Sequence, residues 1–179
     1  MKSIKNVPNC ISIIRIFISV SLLLVKPFSQ LFFFLYLMCG ISDVLDGYIA
    51  RKIDAFSKFG PVLDSVSDLI FISIVLYIII PIVDFPLWII HWIVVIALIR
   101  VISLTFGFTK YRQLAFLHTY ANKATGISLF CFPIVFSIFG KEITGIIVCC
   151  IASISATEEL LINLTSKTLH RDRGSIFSK

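Results

Sequence analysis

The chain has 179 residues, 58% hydrophobic and only 15% charged, with 16 Lys+Arg against 10 Asp+Glu and a formal net charge of +6; its mean hydropathy is +1.01. Soluble domains run nearer half apolar and a quarter charged, and a single soluble domain of this size has no interior able to hide so much Phe, Ile and Leu. A multi-domain soluble enzyme, a disordered chain and a disulfide-stapled secreted module are excluded, leaving an integral membrane protein with room for roughly five or six helices at about 20 residues each.

In chain order the first apolar stretch runs from about Pro8 to Val25. Lys2 and Lys5 in front of it imitate a signal peptide, but Arg15 interrupts the run and no small-x-small cleavage site follows. It reads as a retained first helix, lying partly in the interface because an Arg at the bilayer centre is costly. The second stretch is about Leu31–Arg51, the third Gly60–Val83, the fourth Pro86–Phe108, the fifth Ala121–Gly140 and the sixth Ile143–Thr165. Pro27, Pro81 and Pro86 fall near span ends, where helices tolerate proline. The longest polar connections are about Lys52–Phe59 and Thr109–Tyr120, and no repeat, low-complexity run or linker divides the chain. The expected fold is all-α: a polytopic membrane protein with six transmembrane helices, forming a single membrane domain over residues 1–179.

Six spans place both termini on one side. With them lie Lys2, Lys5, Arg51, Lys52, Lys58, Lys110, Arg112, Lys123, Lys167, Arg171, Arg173 and Lys179; opposite are only Lys26 and Lys141, while Arg15 and Arg100 fall inside spans. Such a bias marks the cytoplasmic side, so both termini are expected in the cytoplasm. The positive charge is then a topological label rather than a sign of a nucleic-acid partner. Cys10, Cys39, Cys131, Cys149 and Cys150 form no C-x-x-C pair and have no nearby His; they read as small apolar fillers kept reduced.

Against this apolar background four aspartates stand within 26 residues: Asp43, Asp46, Asp64 and Asp68. The first pair is spaced i, i+3 and the second i, i+4, so each shares one helix face. The two helices are consecutive and joined by a short loop, so the four carboxylates can meet near the cytoplasmic end. Four close anions in low dielectric need cations, and hard divalent ions, Mg²⁺ or Mn²⁺, suit carboxylate ligands. Two such ions match the charge, and two-metal sites stabilise in-line displacement at phosphorus. Gly47, Ala50 and Gly60 remove bulk beside the carboxylates, Arg51 can fork onto a phosphate, and Ser57 can donate to one. The bland alternative, solvated charges at helix ends, explains one or two such residues but not four on matched faces.

The residues Asp43-x2-Asp46-Gly47-x2-Ala50-Arg51-x8-Gly60-x3-Asp64-x3-Asp68 resemble the signature of the CDP-alcohol phosphatidyltransferases at all eight fixed positions. The resemblance implies a six-helix integral membrane homodimer with its active site open to the cytoplasm. Such a protein moves a phosphatidyl group from CDP-diacylglycerol to a small polar alcohol and releases CMP. It implies Asp43, Asp46 and Asp64 as metal ligands, and Asp68 as the base on the acceptor hydroxyl that also touches the second metal. It further implies contacts of Gly47, Arg51 and Ser57 with the CDP moiety. Pro8-Asn9 is similar to a segment before the family's first helix, which adds Asn9 and Ser12 to the nucleotide pocket.

For the acceptor, Arg100, Lys110, Arg112 and Lys123 are the cations that a phosphorylated alcohol such as glycerol 3-phosphate wants, with ordinary loop charge as the alternative for Lys110 and Arg112. Asn122-Lys123-Ala124-Thr125-Gly126 and the Glu158-Glu159-Leu160 segment resemble phosphatidylglycerophosphate synthases. The first segment lacks one Lys of that pattern, and Arg100-Val101 stands where those enzymes often carry Arg-Glu. Serine and inositol phosphate are the rival acceptors. Glu158 and Glu159 are expected to pair with Arg15 or Arg100 and brace the bundle. His91 and His118 have no evident partner, and Phe32-Phe33-Phe34 reads as lipid-facing or packing surface. A divalent-cation transporter is the rival from another class, disfavoured because only Asp84 continues an acidic path outward. A decayed, non-catalytic scaffold is disfavoured by the intact signature.

Overall fold

The computed structural model describes residues 7–52, 60–117, 119–166, 168–169 and 174–176, with all their side chains except those of residues 7, 44, 46–52 and 61. These residues form α-helices and no strand: α1 (Val7–Ser21), running into a 3-10 turn at Leu22–Leu24, then α2 (Gln30–Lys52), α3 (Gly60–Val83), α4 (Leu87–Tyr111), α5 (Tyr120–Phe130) and α6 (Phe132–Thr165). The segments Val62–Val83, Leu87–Tyr111 and Phe132–Thr165 are long and apolar enough to cross a membrane, and Pro8–Leu24 and Gln30–Asp43 are shorter apolar helices.

The chain divides into two compact units, Met1–Ile82 and Val83–Lys179. In the first, each helix buries one stripe. On α1 the stripe is Ser12, Arg15 and Ser19, continued by Leu22. On α2 it is Phe32, Tyr36 and Cys39, spacings of four and three that keep side chains on one face. On α3 the buried residues are Ser65, Ser67, Val75, Ile78 and Ile79. α1 packs on α2, and an aromatic chain from Phe28 through Phe32 and Tyr36 to Phe71 of α3, with centroids 6.0, 6.2 and 5.3 Å apart, links α2 to α3. The Phe-rich run divides accordingly: Phe32 is buried while Phe34 is exposed. On α1 and α3 the buried residues are polar at one end and apolar at the other, and large apolar residues such as Phe17 and Leu24 point outward at 69% and 87% exposure. Small polar groups inside and apolar bulk outside is the pattern of helices packed in lipid, where close approach and hydrogen bonding replace the hydrophobic drive between helices.

In the second unit α4 and α5 each pack against α6. Ile89, Ile96, Ser103 and Gly107 form the buried stripe of α4. Gly145 lets α6 lie against Ile89, whose Cδ1 sits 2.8 Å from where a Cβ would stand. Asn163 of α6 donates to the Ser103 hydroxyl and carbonyl at 2.9 and 3.3 Å. The Trp92 indole donates to Ser153 at 2.9 Å. Thr119 caps α5 by accepting from the Asn122 backbone N–H.

The first four expected stretches coincide with α1 through α4 to within a few residues. The fifth differs: it is split at Cys131, with Pro133 in the first turn of α6, and α6 itself carries a non-helical residue at Gly140 (φ 73°, ψ −179°). Pro133 cannot donate to the preceding turn, so α5 cannot run through it. Gly140 reaches a left-handed φ at no steric cost, and it falls where the fifth expected span ends. Lys141 and Asp84, both expected on the side away from the termini, meet: the Lys141 ammonium donates to the Asp84 carbonyl at 2.7 Å and lies 3.6 Å from its carboxylate. All five cysteines are free thiols.

Candidate functional site

Polar side chains of α1, α2 and α3 converge in the first unit. Asp43 follows Cys39 by four residues on the inner face of α2, and Asp64 and Asp68 lie one turn apart on α3. Ligand oxygens from these three carboxylates all lie within 4.8 Å of one another. At their centre is Arg15 of α1. Its Nη1 donates to Asp43 Oδ1 at 2.9 Å and to Asp68 Oδ1, and stands 3.3 Å from Asp64 Oδ1. Its Nε donates to the Ser42 hydroxyl at 3.2 Å, which in turn donates to the Cys39 carbonyl at 2.7 Å. One turn along α1, Ser19 donates to the Arg15 carbonyl at 2.7 Å. Exposure is asymmetric: the Arg15 side chain is 1% exposed, whereas Asp43, Asp64 and Asp68 are 49%, 28% and 40% exposed. The guanidinium thus reaches the carboxylates from the protein side, and their other side opens outward.

The three carboxylates fit a hard divalent cation. Their separation is one that a single ion with oxygen ligands at about 2.0–2.6 Å can bridge.

The remaining expected site residues are distributed as follows. Asp46, Gly47, Ala50 and Arg51 lie in α2, but their side chains fall outside the described residues, as does Ser57 entirely. Gly60 is the first residue of α3. Asn9 is half-buried on α1 and Ser12 is buried one turn before Arg15, its hydroxyl donating to the Pro8 carbonyl at 3.2 Å. Sequence reasoning missed Arg15 as a member of the cluster. The available signal was its place on one α1 stripe with Ser12 and Ser19, together with the rule that an arginine inside an apolar helix needs a carboxylate partner.

The second unit holds its own polar cluster. Arg100 Nη1 pairs with Glu159 Oε2 at 3.2 Å, and its Nη2 donates to Asn122 Oδ1 at 3.2 Å and to Ser155 Oγ at 3.0 Å. Asn122 donates to the same Glu159 oxygen at 3.2 Å. Of the two partners expected for the Glu158-Glu159 pair, the structure selects Arg100, for Glu159. Glu158 instead accepts from Ser175 Oγ and the Ile176 N–H at 2.8 and 3.1 Å. Lys110 donates to the Asn163 and Leu164 carbonyls, both at 2.8 Å, closing the C-terminal end of α6, where cations suit the helix dipole. Arg112 is exposed and takes a left-handed conformation as the C-cap of α4. Lys123 is exposed over the Tyr120 ring at 5.9 Å. His91 is exposed, and His118 lies outside the described residues.

A family model described as CDP-alcohol phosphatidyltransferase matches residues 5–152. The chain belongs to the CDP-alcohol phosphatidyltransferase family. Curated relatives include two proteins named CDP-diacylglycerol--glycerol-3-phosphate 3-phosphatidyltransferase. The one from Wigglesworthia glossinidia brevipalpis is 34% identical over 80 residues, 42% of this chain and 44% of that protein. The one from Rickettsia bellii is 32% identical over 81 residues, 42% of this chain and 45% of that protein. The match therefore spans less than half the length of these curated relatives. No solved structure matches the chain. Family membership and apolar helices agree on an integral membrane protein, and the acidic residues that meet in the first unit lie within the segment that the family model matches.

Proposed function

We propose that this chain transfers a phosphatidyl group from CDP-diacylglycerol to glycerol 3-phosphate, releasing CMP and giving phosphatidylglycerophosphate. The observation that carries this is the meeting of Asp43, Asp64 and Asp68, three members of one signature, in a chain of this family; the relatives' names favour glycerol 3-phosphate as the acceptor. Asp43, Asp46, Asp64 and Asp68 are proposed to hold Mg²⁺ or Mn²⁺, two ions in all. Bound there, divalent ions neutralise a diphosphate and stabilise in-line displacement at phosphorus.

The chain's own residues then divide the work. Asp68, 40% exposed, takes the proton of the acceptor hydroxyl. The acceptor oxygen bonds to the phosphorus that carries the diacylglycerol, and the bond from that phosphorus to the CMP oxygen breaks. Gly47, Ala50 and Gly60 leave room for the diphosphate, Arg51 and Ser57 donate to it, and Asn9 and Ser12 line the nucleotide end. Of the cations named for the acceptor phosphate, Arg112 and Lys123 are exposed, while Arg100 and Lys110 hold other partners. The largest KM effects for glycerol 3-phosphate are therefore assigned to Arg112 and Lys123. The charge asymmetry supports a site facing the cytoplasm of the cell membrane with both termini on that side, and the family supports a homodimer in which residues 1–179 act as one membrane domain.

The test is CMP release from CDP-diacylglycerol by the purified protein with glycerol 3-phosphate, serine or inositol phosphate, the product identified by mass. Phosphatidylglycerophosphate is the expected product. Turnover with serine or inositol phosphate alone would reassign the acceptor, and metal flux into liposomes without CMP release would turn the site into a transport path.

A further inference from the structure

We propose that Arg15 is a tethered counter-ion that stands in for a divalent cation while the carboxylate cluster is unloaded, and that its pairing with the cluster and metal binding exclude each other. This rests on the reading of Asp43, Asp64 and Asp68 as metal ligands. One nitrogen, Nη1, is surrounded by oxygens of all three residues: 2.9 Å from Asp43, hydrogen-bonded to Asp68 and 3.3 Å from Asp64. These three residues also supply the only group of acidic ligand atoms found together among the described residues. An ion touching the same oxygens at about 2.0–2.6 Å must occupy the same small volume as the nitrogen, and two cations do not share it.

The surroundings suit an exchange. Without a cation, three carboxylates at this spacing repel one another, and a charge that cannot diffuse away relieves that repulsion. Arg15 supplies it from a helix. Its Nε bond to Ser42 lies outside the carboxylates and can keep the arm in place while Nη1 withdraws. The carboxylates stay 28–49% exposed on the side away from Arg15, so an ion can approach without the bundle opening.

Mn²⁺ affinity of the full chain, stripped with chelator in detergent and measured by calorimetry or paramagnetic resonance, tests this alongside melting temperature in chelator. Arg15→Gln is expected to bind Mn²⁺ about tenfold or more tightly than the parent, because a charge-assisted competitor is gone, while melting lower without metal and gaining more from its addition. Arg15→Lys, which keeps charge but loses the fork, should fall between; it also gives the measurement if Arg15→Gln folds only with Mn²⁺ present, itself an expected result. Equal or weaker Mn²⁺ binding by folded Arg15→Gln overturns the stand-in role and makes Arg15 a partner of the loaded site. If neither the parent nor the variants bind Mn²⁺, the metal reading falls and takes the inference with it.

Discussion

Arg15 and Arg100, the two arginines set in the middle of apolar helices, are housed in opposite ways. Around Arg15 the cation is sealed at 1% exposure and the three carboxylates face outward at 28–49%. Around Arg100 the cation keeps 30% exposure and its carboxylate partner, Glu159, is sealed at 3%. Among the described side chains, the first cluster sets one guanidinium against three carboxylates. The second is a one-to-one pair whose polar atoms are further satisfied by Asn122 and Ser155. An ion pair that balances itself needs nothing from outside and ties helices together. A cluster of three carboxylates, open on one side, is suited to receiving cations.

Four substitutions probe that contrast, from the largest expected effect to the smallest. Asp68→Asn should lower CMP release by about 10²–10⁴-fold, the range for loss of a positioned general base, with the helical content and melting temperature of the detergent-solubilised protein preserved. Retained turnover would remove Asp68 as the base. Glu159→Ala should do the reverse. Loss of the carboxylate strands Arg100 and Asn122 at a cost of about 1–3 kcal/mol, seen as a lower melting temperature, while turnover per folded molecule stays within about twofold of the parent. A collapse of turnover at full stability would make the second cluster catalytic and erase the distinction. Thr119→Ala removes the cap of α5 and should cost about 1 kcal/mol, read as faster amide exchange in the first turn of that helix. Lys141→Ala breaks an ion pair whose acidic partner is 93% exposed and should shift the melting temperature by an amount equivalent to less than about 0.5 kcal/mol.

Much of this was legible in the chain because charge is scarce in it. Apolar runs interrupted by Pro and polar connections mark where α1 through α4 lie, since an apolar helix in such a chain declares itself by composition. The spacings i, i+3 and i, i+4 mark matched faces, and Asp43, Asp64 and Asp68 do come together. Three features were not legible, each for a physical reason. Spacing along a helix tells which residues share a face but not which other helix that face meets, so Arg15 could be assigned to any nearby carboxylate. The break at Cys131 was written in Pro133, but an apolar run on both sides of it concealed the interruption. The capture of Ser175 and Ile176 by Glu158 joins a helix to a segment with no periodicity of its own, and no local pattern announces such a contact.

Gly140 has a consequence for fit to the bilayer. α6 extends from Phe132 to Thr165, 34 residues, and as one unbroken rod it would measure about 51 Å, against a hydrocarbon slab of about 30 Å. A rod that long must tilt steeply, deform the lipid or push apolar residues into water, each at a cost that grows with the mismatch. The positive φ at Gly140 (73°), with no atom within 4 Å of where a Cβ would stand, divides that length through backbone freedom alone. Any β-carbon would fit the space but resist the dihedral, so a single hydrogen in place of a side chain keeps this length of apolar chain from forming one rod.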